Sequence, residues 1–510
     1  MGRVEDSAGR EAGRTALVSA AFEVTARALA VILSIAIARV LEPTEVGVLG
    51  LAVIFVGVAS QVAYCAETAS VSGESLGGDN QYALAAVGIR FLITAALVVG
   101  MLFALPRVTS LLAGTEEVGG ELTFLVHLLS WQLLLELVGT YPRVLLQRQL
   151  RLTWVAVGTQ LAVLVHVGLS VLLLTAGYGA PGVVWACLTS VGVNSVYLWL
   201  RVLGRYPLAW EGRATARLWR EAIGSTGKVF VGGILGYVNG RVDNLLVAGV
   251  LGPAAMSFYS MAWSVSRIPA GILSQVLSFT LIPTLARVQE DRESIAKILQ
   301  GALGYSYIIL APVCAGLFVS APSVVNCVLG TKWLPLVPCL RMMSITVLMG
   351  PLVFSTSALL IGTGRAHVPS LATVGQFLIL YALIVPLSLR WNITGAALGD
   401  LAGVAVLTVI LYVSARLATR DYRPLFVSAI RLPLLAAVCA GSLAAYVGSY
   451  LDYGKLRAAS EICVLVGGYA LFVWLGGGRE KLASMSRLAK DAIQDCWGFR
   501  YASRWSRSEE

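Results

Sequence analysis

Apolar segments of roughly 20 residues follow one another along almost the whole chain. A helix of that length crosses the hydrocarbon core of a bilayer. Of the 510 residues, 57% are hydrophobic and 13% are charged, which excludes a soluble domain of this size. The pattern predicts an all-α polytopic membrane protein with about fourteen transmembrane helices. The predicted spans are Ala16 to Ala38, Val46 to Tyr64, Tyr82 to Leu105, Leu122 to Leu146, Trp154 to Ala176, Pro181 to Leu203, Lys228 to Leu251, Met256 to Leu285, Leu303 to Val325, Pro338 to Ile361, His367 to Leu389, Thr394 to Leu417, Leu425 to Tyr450 and Ala458 to Leu475.

The sequence also contains an internal repeat. Three pairs of segments match in the same order: residues 38–43 with 248–253, residues 145–160 with 359–376, and residues 177–183 with 390–396. The displacement corresponds to six spans, and an even number keeps both halves in the same orientation. We therefore expect two homologous six-helix lobes in a parallel repeat, followed by two C-terminal helices. Paired bundles of this kind move against each other around a substrate site, which indicates a transporter.

The predicted division of the chain follows from these spans. It comprises a cytoplasmic N-terminus (1–15), an N-lobe (16–212), a C-lobe (213–424), two further helices (425–475) and a basic cytoplasmic tail (476–510).

Basic residues are concentrated in alternate connecting segments, which places both termini in the cytoplasm. The net charge of +10 then reflects membrane topology and attraction to anionic lipid, and gives no argument for nucleic acid binding. The eight cysteines are scattered, and the three histidines are isolated. We expect neither a metal site nor a cofactor.

The seventh span carries polar residues at its centre, residues 239–244. An ionisable group at that depth costs at least ~2.5 kcal/mol and usually marks a pathway or a binding site. Asn239 and Asp243 are spaced i, i+4, so they share one face of a continuous helix, whereas Arg241 lies roughly opposite, near Asn244. Asp243 lies at the depth of Arg267 in the eighth span and could pair with it. These residues predict a buried polar lock, which is compatible with a gating role.

Other ionisable residues lie at mid-depth in the first half of the chain. Glu23 and Arg27 are spaced i, i+4 in the first span, Arg90 lies in the third and Glu136 in the fourth. One interpretation is a local Glu23–Arg27 pair, with Glu136 as part of a polar lock. The other is that Arg27, Arg90 and Arg267, with Arg241, line a central cavity and hold a phosphate-bearing head group. Arginine suits that task because its charge is permanent and its planar fork binds two oxygens.

Enzyme motifs are absent from the sequence. Residues 224–228 resemble a phosphate-binding loop, but Ala222 occupies the position of its first glycine. We expect a protein that is not an enzyme.

Several motifs in order resemble the polysaccharide transporter family (Wzx-type flippases, or lipopolysaccharide biosynthesis proteins) of the multidrug/oligosaccharidyl-lipid/polysaccharide exporter superfamily. They are residues 38–43 with Gly47, residues 142–148, Asn239, residues 243–246, residues 252–254, residues 259–260, residues 282–289 and residues 330–333. Glu42 and Gly249 depart from the family pattern at an outer turn.

The resemblance implies two six-helix lobes with alternating access to a central cavity. It implies export of a polyprenyl-diphosphate-linked oligosaccharide, a precursor of exopolysaccharide, O-antigen or capsule, across the bacterial inner membrane. Membrane lipids are further expected partners, as are polysaccharide polymerases and glycosyltransferases. The last two spans are expected to be dispensable for the repeat. They either form a groove for the polyprenyl tail or only pack the second lobe against lipid.

Two other functions remain open at this point. A multidrug antiporter of the same superfamily is disfavoured because the cavity candidates are cationic. A membrane polysaccharide polymerase or glycosyltransferase is disfavoured because the chain has neither a large outer loop nor paired catalytic carboxylates.

Overall fold

The computed structural model describes residues 22, 25–72, 87–101, 116–205, 233, 236–287, 292–418, 422–451 and 455–475. Regular structure in these ranges is helical, without strands. The helices are α1 (25–40), α2 (Pro43–Ser72), α3 (Val87–Met101), α4 (Glu116–Arg148), α5 (Leu152–Thr175), α6 (Gly179–Val202), α7 (Val242–Leu251), α8 (Pro253–Arg287), α9 (Arg292–Val319), α10 (Ala321–Val328), a 3₁₀ helix (Thr331–Leu336), α11 (Val337–Leu348), α12 (Gly350–Gly362), α13 (His367–Ala418), α14 (Tyr422–Gly448) and α15 (Lys455–Leu475).

Nine helices within the described residues are long and apolar enough to cross a membrane, and two shorter apolar helices accompany them. The chain is therefore a multi-pass membrane protein of all-α class, as predicted. α13 contains two predicted spans in succession, since its backbone leaves helical geometry at Trp391 and Asn392. The ninth predicted span ends earlier than expected, at Val319, and a separate helix, α10, follows it.

The prediction of a continuous helix through the seventh span is wrong. Residues 236–239 are helical, Gly240 and Arg241 form a turn, and α7 begins only at Val242. The backbone of Arg241 has φ −136° and ψ −12°, and its N–H donates to the carbonyl of Val238, three residues back. Glycine favours such a break because it is a poor helix former. The helical periodicity that would put Asn239 and Asp243 on one face is thus interrupted.

Backbone hydrogen bonds confirm the internal repeat most clearly after α4 and α12. In the first turn the N–H of Arg151 donates to the carbonyl of Leu146 at 2.8 Å, and in the second the N–H of Arg365 donates to that of Leu360 at 2.7 Å. Three further bonds recur at the same displacement. Both turns use left-handed backbone, with φ 55° at Leu150 and φ 77° at Gly364.

The other two matched pairs also share their geometry. Val46 N–H bonds to the carbonyl of Glu42, and Met256 N–H to that of Gly252, each just after a helix-starting proline. The α5–α6 turn has φ 59° at Gly179, and the kink of α13 has φ 52° at Asn392. All three matches read from the sequence are therefore structural equivalents.

The described helices belong to two compact units, Met1–Phe258 and Tyr259–Glu510. In the first unit, a core cluster joins α4 to α6 through Tyr141, Val144, Leu145, Leu146, Leu198 and Val202. The first unit also holds a close approach at Gly47 of α2, where a Cβ would overlap the carbonyl oxygen of Pro253. The predicted lobe boundary at residues 212 and 213 remains a prediction.

In the second unit, α14 and α15 pack against α9. A cluster of small residues, including Ala311, Ala437 and Ala440, brings the helices close together. The hydroxyl of Tyr469 on α15 donates to the carbonyl of Ile308 on α9 at 3.0 Å. The two C-terminal helices thus contribute to the core of this unit.

The pair of repeated turns generates a stability prediction. Gly364→Ala should lower the free energy of unfolding by about 1–2 kcal/mol, because a side chain there must adopt left-handed backbone. Leu150→Gly should be nearly neutral, since it relieves the same strain while it makes the unfolded chain more flexible.

Melting temperatures of the purified variants in detergent measure both effects. Gly100→Ala is the matched control, because Gly100 lies inside α3 with open space around its Cβ position. A Gly364→Ala variant as stable as Gly100→Ala would contradict the prediction.

Candidate functional site

A buried ion pair joins α3 to α4 in the first unit. The guanidinium Nη2 of Arg90 lies 2.8 Å from Oε2 of Glu136, and the two side chains are 1% and 15% exposed. Arg90 was predicted to line a cavity and Glu136 to belong to a polar lock, whereas the two side chains are partners in the structure. Burying either charge alone is costly, so the pair is the arrangement that an apolar environment favours.

Glu136 is also the centre of a hydrogen-bond network. The hydroxyl of Ser60 on α2 donates to Oε2 at 2.8 Å, and Nε2 of Gln132 donates to Oε1 at 2.7 Å. The thiol of Cys187 on α6 donates to Oε1 of Gln132 at 3.6 Å. One carboxylate therefore links helices α2, α3, α4 and, through Gln132, α6.

This network borders a cavity of about 420 Å³ within the first unit. Most of its lining is apolar and comes from α1, α2, α4 and α6. Its polar lining residues are Ser60, Gln61, Gln132, His166, Cys187 and Tyr237. Sequence reasoning did not find the cavity, because the lining residues are distributed over six segments and the sequence does not show which of them are neighbours.

Tyr237 connects the cavity to the break in the seventh span. Its hydroxyl lies against Gly57 of α2, where a Cβ would collide with it. The guanidinium of the exposed Arg241 lies 5.9 Å from the Tyr237 ring centroid. Because the helix stops at Arg241, this cation lies beside a cavity-lining ring at the beginning of α7 rather than within a helix.

Asp243 and Asn244 lie in the first turn of α7 and are both buried. Oδ1 of Asp243 accepts the backbone N–H of Asn244 at 2.8 Å and its side-chain Nδ2 at 3.2 Å. An aspartate in the first turn is also stabilised by the partial positive charge of the helix N-terminus. These contacts give Asp243 a local structural role. A pairing with Arg267 would join two separately described units and remains a prediction.

Of the first-span candidates, Arg27 is exposed on α1, and Glu23 lies outside the described residues. In the second unit, Nη2 of Arg267 lies 3.6 Å from Oδ2 of Asp400 on α13. Sequence reasoning missed Asp400. The signal was present, since Asp400 is an acidic residue inside the span Thr394 to Leu417, as Asp243 is in its own span.

The second unit contains an apolar groove of about 410 Å³ between α9, α11 and α14. Its lining includes Phe318, Val319, Leu348 and Val438, and its polar side chains are Cys314, Ser344 and Ser442. The groove is chemically suited to a hydrocarbon chain.

Comparison with known proteins identifies the family. A profile described as "Polysaccharide biosynthesis protein" matches residues 36–338, more than half of the chain. The chain belongs to this family. The match confirms the resemblance inferred from the motifs.

Three proteins are similar to this chain in sequence. The chain is 24% identical over 74% of its length to an uncharacterized membrane protein in the cps region of Klebsiella pneumoniae, and covers 76% of it. It is 26% identical to the lipopolysaccharide biosynthesis protein WzxC of Escherichia coli over 35% of this chain and 36% of WzxC. It is 22% identical to the succinoglycan biosynthesis transport protein ExoT of Rhizobium meliloti over 61% of each.

Solved structures share the fold. The lipid II flippase MurJ in an inward closed conformation aligns with a TM-score of 0.71 at 13% identity, over 90% of this chain and 98% of MurJ. An inward-facing MATE family multidrug transporter aligns with a TM-score of 0.57 at 17% identity, over 78% of this chain and 96% of the transporter. The chain therefore shares the fold of these two transporters.

The Arg90–Glu136 pair predicts non-additive stability effects. Glu136→Gln should destabilise the protein by about 3–5 kcal/mol, because it leaves the Arg90 charge buried without its counter-charge. Arg90→Gln should destabilise the protein by a similar amount. The double variant Arg90→Gln/Glu136→Gln should be more stable than either single variant, since two neutral amides retain hydrogen bonds without buried charge.

Thermal unfolding of the three purified variants measures the coupling in a double-mutant cycle. Additive losses would show that the two side chains do not act as a pair.

Proposed function

We propose that this protein is a transporter that moves a polyprenyl-diphosphate-linked oligosaccharide from the inner to the outer leaflet of the bacterial inner membrane by alternating access. Membership of the polysaccharide biosynthesis family carries the proposal. It is supported by the names of relatives that act in lipopolysaccharide and succinoglycan biosynthesis. The fold shared with a lipid II flippase is consistent with such a cargo.

The geometry of Arg267 supports a diphosphate as the recognised group. Its side chain is 40% exposed, whereas its partner Asp400 is 6% exposed. Their separation of 3.6 Å is longer than a hydrogen bond, so Asp400 offsets the charge of Arg267 without occupying its donors. The guanidinium also lies 4.8 Å from the ring centroid of Trp263. A cation held in this way can present its planar fork to phosphate oxygens.

Arg27 and Arg241 are further candidates for the same task, because both are exposed. Arg90 is a weaker candidate, since it is buried and paired with Glu136. In this proposal Arg90 and Glu136 hold α3 and α4 in place, and the exposed arginines contact the substrate.

Both termini are assigned to the cytoplasm on the distribution of basic residues. Enzymes that build the lipid-linked oligosaccharide on the cytoplasmic side, and a polymerase that consumes it outside, are the expected functional partners.

We further propose that the apolar groove between α9, α11 and α14 takes the polyprenyl tail. The groove has the chemistry of an alkyl-chain site, and α14 forms one of its walls. This assigns the C-terminal helices a role beyond packing against the second unit.

The proposed function is tested in the organism that encodes the protein. Deletion should make the lipid-linked oligosaccharide accumulate in the inner leaflet, where a reagent confined to the outside cannot reach it. Unchanged leaflet distribution, together with increased sensitivity to cationic drugs, would favour the multidrug antiporter instead.

Arg267→Gln should reduce export at least about tenfold at normal protein abundance, because it removes a charge-assisted contact with phosphate. Leaflet accumulation of the lipid-linked oligosaccharide is again the measurement. Arg390→Gln is the control: Arg390 is an exposed arginine of the same unit whose guanidinium also lies over an indole, that of Trp391, at 5.1 Å. Equal export by both variants would show that Arg267 does not contact the substrate.

Ser442→Phe should impair export by filling the groove. Leu435→Phe is the matched control, since Leu435 is an exposed residue of the same helix that does not line the groove. Crosslinking of a photoactivatable polyprenyl analogue to the wild type and to each variant gives a direct readout. Undiminished export and crosslinking in Ser442→Phe would show that the tail lies elsewhere.

A further inference from the structure

Three arginine side chains gather around one indole ring in the first unit. The guanidinium carbons of Arg151, Arg201 and Arg205 lie 5.8, 5.6 and 5.0 Å from the ring centroid of Trp154. Arg201 also lies 5.0 Å from the ring centroid of Tyr197. Arg151 precedes α5, whereas Arg201 and Arg205 come from the end of α6, so the fold brings them together from distant parts of the sequence.

Acidic residues are absent from a long stretch of sequence around these arginines, between Glu136 and Glu211. Within the part of the chain that the structure describes, Arg151, Arg201 and Arg205 form no ion pair. A cation–π contact contributes only about 0.5–1 kcal/mol at an exposed site, which does not offset the mutual repulsion of three cations as an anion would. The cluster therefore favours an anionic ligand.

The surroundings of the cluster indicate an amphiphilic ligand. The neighbouring side chains of Leu150, Leu200 and Leu203 are 81%, 67% and 50% exposed. Tryptophan and arginine beside exposed leucines are typical of the level where lipid head groups meet acyl chains. The distribution of basic residues assigns this end of α5 and α6 to the cytoplasmic leaflet.

The second half of the chain shows that the repeated turn does not require this arrangement. Arg365 is the equivalent of Arg151, with the same backbone hydrogen bond. The equivalent of Trp154 is Val368, as the matching bonds of their N–H groups to Arg151 and Arg365 show. Among the residues that the structure describes there, Arg365 and Arg416 are exposed arginines, but Val368 offers them no indole ring. The indole with its arginines is thus particular to the first half.

We propose that Trp154, Arg151, Arg201 and Arg205 form a binding site for the phosphate of an anionic phospholipid in the cytoplasmic leaflet. The guanidinium forks bind the phosphate oxygens, the aromatic rings hold the guanidinium groups in place, and the exposed leucines contact the acyl chains. This site is separate from substrate transport, and its occupancy can be measured without export.

Native mass spectrometry of the delipidated full-length protein with added phosphatidylglycerol tests the site. The wild type should bind phosphatidylglycerol in preference to phosphatidylcholine. Arg201→Gln/Arg205→Gln should weaken phosphatidylglycerol binding about 10- to 30-fold, from roughly 1 kcal/mol for each arginine. The matched control Arg365→Gln/Arg416→Gln removes the same charge from the second half and should bind as the wild type does.

Trp154→Leu distinguishes a specific lipid site from general electrostatic attraction between the arginines and anionic lipid. It retains every arginine and should still weaken binding about threefold, whereas Trp154→Phe should not. Unchanged melting temperatures in phosphatidylcholine nanodiscs serve as the folding control for all variants. Equal weakening by the second-half control, wild-type binding by Trp154→Leu, or displacement of the lipid by inorganic phosphate alone would each overturn the proposal.

Discussion

The hydrocarbon of a bilayer offers no hydrogen-bond partners, and this constraint determines where the chain can depart from helix. Each backbone group that a break releases must find a partner inside the protein. At the turn the N–H of Gly240 keeps the helical bond to the carbonyl of Gly236, the N–H of Arg241 shifts to the carbonyl of Val238, and the side chain of Asp243 accepts the N–H of Asn244. The polar residues that make the seventh span unusual are thus the residues that allow its helix to stop.

The same constraint separates the two ion pairs. Arg90 and Glu136 are both largely buried at hydrogen-bond distance, and two further side chains donate to the carboxylate. Arg267 and Asp400 are farther apart, and the cation is much more exposed than the anion. The first arrangement is that of a structural pair. The second keeps a cation available at low electrostatic cost, which is what recognition of an anion requires.

Hydropathy predicted most of the fold, because long apolar helices are what a membrane selects. The internal repeat was also visible, since its turns preserve enough sequence to be aligned. The break at Gly240 was not predicted, because one glycine changes neither length nor hydropathy. Depth along a span placed Arg90 and Glu136 at similar levels, but depth does not tell which helices are neighbours, so their pairing was missed. Asp400 carried the same signal as Asp243 and was overlooked.

The hairpin of α5 and α6 has a consequence for how the protein is made. Five arginines lie near its open end, at residues 143, 148, 151, 201 and 205, and no aspartate, glutamate, lysine or arginine occurs between Arg151 and Arg201. Its closed end, around Gly177 and Gly179, is therefore the end that crosses the membrane most readily during synthesis. Such a segment specifies its own direction of insertion. The charges of this hairpin can therefore set its direction in the membrane before the helices of the second half leave the ribosome.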